Sequence, residues 1–266
     1  MNDENRSIAT EGHSSNLTGL PTGLLASVGF SDFPIPLSIR GVRQAHADLF
    51  DELSHCKTLD KARLTFSSHM DALFALNARR PRRFHASYLQ LLKDWGIDSN
   101  SPAGAVLKGW VESRFGLFPT FHRMPIRRFN SPEWISYVEE KMCSRFNNNT
   151  IFMQLDLLYE FSQWVLRRFV ADGKKHLTLY RGTNDLSDQQ LLHQIDSRTA
   201  VVRMNNLLSF TSNRGIADEF GDIIIEAEVP TAKLLFFNEL RSPTLLQGES
   251  EYLVIGGDYR VNISYF

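Results

Sequence analysis

The chain has 266 residues, 42% hydrophobic and 22% charged, with 29 Lys and Arg against 30 Asp and Glu for a formal net charge of -1. That is ample apolar material for a sizeable core, and the even balance leaves no global field to hold nucleic acid or an anionic membrane. Cys56 and Cys143 are its only cysteines, which excludes a disulfide framework and a cysteine-built zinc site.

The first thirty residues are polar and rich in Ser, Asn and Gly, without the basic start and apolar stretch of a secretory signal. No run reaches the ~20 apolar residues of a membrane span. A cytoplasmic protein with a flexible tail over residues 1–35 is the expectation. Over 43–173 apolar residues recur at three and four, as in Leu59, Ala62, Phe66, Met70, Leu73 and in Leu155, Leu158, Ser162, Val165, Phe169. That period marks helices with one buried stripe. Ser101-Pro102 and Ser131-Pro132 place an N-cap before a proline at the first helical position, and Gly96, Gly116 and Gly173 follow periodic segments. At least five helices are predicted in a helical region over 36–174.

Two segments of that region are polar enough to stand out. The basic run Arg79-Arg80-Pro81-Arg82-Arg83 reads as a solvated loop or as a docking patch for an acidic partner. His122 and Arg123, inside the loop-like stretch 118–125, and Arg127-Arg128 after it are candidates for touching nucleotide or target.

After Gly173 the texture changes to short β-branched or apolar runs, at 177–180, 201–210, 222–229, 232–237, 252–255 and 259–265. Two short helices are predicted among them, at 188–195 and 214–220. The whole reads as α+β, with helices packed on a mixed, mainly antiparallel sheet over 175–266 and one compact unit overall.

The chain lacks a phosphate-binding P-loop, a dinucleotide glycine fingerprint, His-Glu-x-x-His and Gly-x-Ser-x-Gly. What it has instead are polar groups at the ends of apolar runs. Arg181 follows Leu177-Thr178-Leu179-Tyr180 and precedes Gly182; a guanidinium stays charged and meets phosphate oxygens as a fork, which suits a pyrophosphate. Ser209, Thr211 and Ser212 end the next long run and offer small hydroxyls that hold a neighbouring backbone, or cap the helix starting near Arg214. Glu249 and Glu251 stand at i and i+2 and share a face if extended, a costly pairing in a low-dielectric cleft unless cationic charge arrives there. A fixed cation, hydroxyls and two carboxylates together suit displacement at the sugar carbon of a dinucleotide, where positive charge builds as the glycosidic bond breaks.

In this order, 181 to 212 to 251, the three elements resemble those of the Arg/Ser/Glu class of mono-ADP-ribosyltransferases, with the match covering 175–266. The Glu-x-Glu form resembles the arginine-modifying branch. That resemblance implies NAD as co-substrate and no metal. Arg181 would anchor the NAD pyrophosphate, with Gly182 near the nicotinamide amide and Ser209, Thr211 and Ser212 in the binding strand. Glu251 would be the catalytic carboxylate and Glu249 the acceptor-side one. Phe210 stands where a strict Ser-Thr-Ser has its first serine, so either Ser212 keeps the serine role or Ser209 fills it. With Phe118-Pro119-Thr120-Phe121-His122-Arg123-Met124-Pro125 added, the whole chain resembles the dinitrogenase reductase ADP-ribosyltransferase family. That implies transfer to an arginine of the nitrogenase iron protein under control of a PII-type signalling protein. Two other readings stay open: an arginine-specific transferase with a different target, and a non-catalytic partner-binding module on the same fold.

Overall fold

The computed structural model describes residues 16–76, 86–186, 189–240 and 251–265. The basic run at 79–83 and Glu249 lie outside the described residues.

The helical period is realised in α1 (Thr22–Ala26), α2 (Val28–Asp32), α3 (Val42–Ala45), α4 (Ala47–Ser54), α5 (Leu59–Phe74), α6 (Tyr88–Ile97) and α7 (Pro102–Phe115). A two-stranded ribbon, β1 (Phe121–His122) and β2 (Met124–Pro125), then precedes α8 (Pro132–Cys143) and α9 (Asn149–Val165). The caps form as the sequence predicts: Ser101 accepts from the Gly104 N–H and Ser131 from that of Trp134, each before a proline that has no N–H to satisfy. Gly116 ends α7 with φ 75°, whereas Gly96 falls inside the last turn of α6 rather than after it. In α5 the stripe buries Ala62, Phe66 and Met70 but leaves Leu73 exposed. Helix α9 is buried on nearly all sides and is the centre of the helical layer, where Phe161 stacks on Phe66 with ring centroids 4.0 Å apart.

Three carboxylates of this layer meet opposite charges. Asp156 accepts from Arg114 Nε at 2.7 Å and Nη2 at 2.8 Å and from the Trp110 indole at 2.7 Å. Glu160 pairs with Arg43 and accepts the Ile39 N–H at 2.6 Å. Glu112 accepts from Lys141 and the Tyr137 hydroxyl, both at 3.0 Å.

The sheet contains β3 (His176–Thr183), β4 (Gln190–Gln194), β5 (Thr199–Thr211), β6 (Ile223–Pro230), β7 (Leu234–Phe237) and β8 (Glu251–Tyr265), with α10 (Arg214–Asp218) between β5 and β6. Every described pairing is antiparallel, where a mixed sheet was expected. From β4 the chain returns to β5 across residues 195–198, too short a connection for the crossover that a parallel pair needs. Strand β8 pairs along its length with β5, and on its other edge with β7 near its start and β6 near its end. Strand β6 pairs with β3, and β3 returns to β5 at the Tyr180–Thr211 register. Strands β5, β8, β6 and β3 therefore close a ring.

Two expectations change here. Within the segment at 188–195, predicted as a helix, Gln190–Gln194 instead form the exposed edge strand β4 on β5; an available ladder outweighs a weak local period. The runs at 252–255 and 259–265 are one strand, because Gly256 and Gly257 continue it opposite a bulge at Asn205 and Asn206. A Cβ on Gly256 would stand 1.7 Å from the Asn205 carbonyl oxygen.

One hydrophobic cluster runs through both layers, from Phe66, Trp95 and Phe161 to Val202, Val229 and Val254. Helix α9 also bonds the sheet directly, with the Tyr159 hydroxyl on the Ala232 carbonyl at 2.7 Å and Ser162 Oγ on that of Leu235 at 2.7 Å. Residues 22–32, expected within the tail, pack on the sheet: Leu25 and Phe30 are buried and Ser31 Oγ donates to the Asp258 carbonyl at 2.9 Å. Beneath them Lys233 has no exposed surface and donates to Ser31 Oγ at 3.2 Å and the Gly256 carbonyl at 3.1 Å. Burial pushes its amine down to about 7, against the pull of Asp258.

Candidate active site

Closure of the ring gathers the ends of three strands. Tyr180 of β3 stands opposite Thr211 of β5, and Thr211 stands opposite Glu251 of β8. Above this seam lies a cleft of about 720 Å³, within the size range of small-molecule sites. One side is built by Tyr180, Arg181, Gly182, Ser209, Thr211 and Glu251. Leu92, Lys93, Trp95 and Ile97 of α6 and Ala217 of α10 with the following Phe220 complete it.

Ser209 holds the site together. Because Ser209 lies opposite Leu253 and Thr211 opposite Glu251, Ser209 and Glu251 are diagonal neighbours on one face. Ser209 Oγ lies 2.8 Å from Glu251 Oε1, and the Trp95 indole donates to the same Oγ at 2.9 Å. The Ser209 carbonyl accepts from Arg181 Nη1 at 3.0 Å. The guanidinium and the carboxylate, far apart in sequence, thus meet on one residue of β5.

Gly182 is required by packing as well as by access to the cleft: a Cβ there would stand 1.8 Å from the Ala217 carbonyl oxygen of α10. Thr211 is buried, and its Oγ1 accepts the Asn213 N–H at 3.1 Å, leading the chain into α10. Ser212 is exposed, does not line the cleft, and hydrogen-bonds Tyr252. Of the residues singled out in the sequence, the structure therefore brings together Arg181, Gly182, Ser209, Thr211 and Glu251, and places Ser212 outside them. Glu249 is outside the described residues.

His122 and Arg123 do not line this cleft. His122 is buried, with Lys108 Nζ 3.2 Å from its Nδ1 and Glu140 Oε2 3.2 Å from its Nε2. Burial, with the nearby Lys108, pushes its imidazole down to about 4. The neutral ring accepts from Lys108 at Nδ1 and donates from Nε2 to Glu140. Arg123 pairs with the same Glu140 at 3.1 Å. The bulge in β5 ties this ribbon to the sheet: Asn205 Nδ2 donates to the Phe121 carbonyl and Asn206 Nδ2 to those of Lys108 and Leu117, all at 2.9 Å.

The α6 wall escapes a sequence reading. Trp95 follows Leu91 and Leu92 on an amphipathic stripe and reads there as core; no local signal separates an indole that packs from one whose N–H reaches a strand residue 114 positions on.

Chemically, the cleft offers a forked cation for an anionic ligand and a carboxylate fixed through one oxygen, able to face a centre on which positive charge develops. Comparison with known proteins agrees in kind. The family model described as dinitrogenase reductase ADP-ribosyltransferase (DRAT) matches residues 15–263. The chain is 56% identical over 264 residues to the "NAD(+)--dinitrogen-reductase ADP-D-ribosyltransferase" of Rhodospirillum rubrum, covering 96% of each chain. No solved structure matches. With nearly its whole length matched by the family model, the chain belongs to the dinitrogenase reductase ADP-ribosyltransferase family.

Proposed function

We propose that this protein transfers ADP-ribose from NAD to an arginine of dinitrogenase reductase, the nitrogenase iron protein, and so switches nitrogen fixation off reversibly. The relative's name gives the donor and the target. The observation that carries the reading to residues is the convergence of Arg181 and Glu251 on one cleft through Ser209.

The residues present fit NAD. The cleft volume suits a folded dinucleotide, and Arg181 supplies a permanent charge for its pyrophosphate. Bound there, NAD would supply an ADP-ribosyl group whose bond to nicotinamide breaks with positive charge building on the ribose. Glu251, held by Ser209, would stabilise that charge. Glu249 would orient the incoming arginine. Since a guanidinium holds its proton to above pH 12, that proton leaves with or after attack rather than before it. The β-rich portion at 175–266 would form the NAD-binding core, with the helical region at 36–174 as its support. Among the described residues no helix is long and apolar enough to cross a membrane; action in the cytoplasm, under a PII-type signalling protein, completes the proposal.

The test is transfer of label from adenylate-labelled NAD to purified dinitrogenase reductase. Glu251→Gln should raise the barrier to transfer by about 2–4 kcal/mol while leaving NAD affinity in place. Full-rate transfer by that variant would remove Glu251 from the mechanism.

A further inference from the structure

We infer that Trp95 is a positioning residue for Glu251, acting through Ser209. This rests on the reading of Glu251 given above and adds to it a residue from the helical layer.

Proton counting sets the direction of these hydrogen bonds. An indole N–H can only donate, and a serine hydroxyl has one proton. With Trp95 Nε1 donating to Ser209 Oγ at 2.9 Å, that proton has one direction left in the triad: toward Glu251 Oε1, 2.8 Å away. Trp95 thereby makes Ser209 an obligate donor to the carboxylate, the arrangement that favours one orientation of the group. Remove the indole N–H and the hydroxyl is at liberty to turn away, and Glu251 to change rotamer.

The indole is itself held. Trp95 is 3% exposed, and Lys108 Nζ lies over its ring, 5.9 Å from the centroid. Lys108 is in turn fixed by the Asn100 side chain at 3.0 Å and by His122. These partners lie on α7, in the loop before it and in β1 after it, and the Asn206 bonds tie that region to β5. The helical layer therefore sets the position of a carboxylate that belongs to the sheet.

Trp95→Phe keeps an aromatic ring and removes the donor. It should lower kcat for transfer about 3- to 10-fold, the worth of one hydrogen bond, with NAD affinity unchanged. In a Ser209→Ala background the same substitution should add nothing, because its only route to Glu251 is gone. Replacing Trp95 by benzothienylalanine, an isostere that lacks only the N–H, should give the same loss and covers the case in which Trp95→Phe does not fold. Parental kcat in the isostere, multiplicative losses in the double variant, or NAD affinity falling in step with kcat would each overturn the inference. Should Glu251→Gln be impaired while the isostere is not, only this inference falls; a fully active Glu251→Gln would take the functional reading with it.

Discussion

The helical layer and the strand ends treat polar side chains in opposite ways. In the helical layer Asp156, Glu160 and Glu112 each meet an opposite charge and a further donor, and the bonds turn inward on one another. At the strand ends Arg181, Ser209 and Glu251 are linked through a single residue and line an open cleft. The first arrangement holds the fold; the second keeps like and unlike groups in place for a ligand. The difference teaches that burial of a charge, taken alone, does not mark a site, whereas convergence on a volume large enough for a ligand does.

Three measurements sharpen or break that contrast. The largest effect belongs to the helical layer. Asp156→Ala strands the Arg114 guanidinium and the Trp110 N–H and should cost about 3–5 kcal/mol in urea unfolding, because it leaves an uncompensated buried charge. A loss below about 1 kcal/mol would put this pair among surface ion pairs and erase the distinction.

Next comes the pH response of His122. Its imidazole protonates at about 4 when folded against 6.5 ordinarily. Between those values the unfolded chain takes up a proton that the folded one refuses, so stability falls as pH drops through that window, by up to about 3 kcal/mol. Parent and His122→Asn, unfolded at a series of pH values, should differ in slope between pH 6.5 and 4. Parallel curves would show that this histidine is not held neutral.

The third effect is on binding. Arg181→Ala should weaken NAD by about 1.5–3 kcal/mol, the range for hydrogen bonds to charged groups, when measured by calorimetry, and leave the unfolding midpoint near the parent's. A large fall in stability with NAD affinity retained would move Arg181 to the structural side of the comparison.

Much of the fold is legible because it is local. Serine caps, the stripe of α9 and the β-branched runs state their structure within a few residues. Strand β4 is not legible, since only the edge of β5 makes an extended chain of Leu191 and Leu192. The continuity of β8 is hidden for a related reason: two adjacent glycines read as a break until a bulge on the opposite strand explains them. At the site, Arg181 and Glu251 stand at the ends of apolar runs and are visible there. Choosing between Ser209 and Ser212 needs the register against β8, a pairing across some forty residues that no local pattern encodes. Trp95 needs more still, the docking of one layer on the other.

Strand β8 comes after β5, β6 and β7 in the chain and pairs with all three. Translation reaches β5, β6 and β7 before their shared partner, and Glu251 is the first residue of that partner. A chain that stops short of β8 cannot close the ring or bring that carboxylate to the cleft. The cleft is in this way completed only together with the ring that frames it.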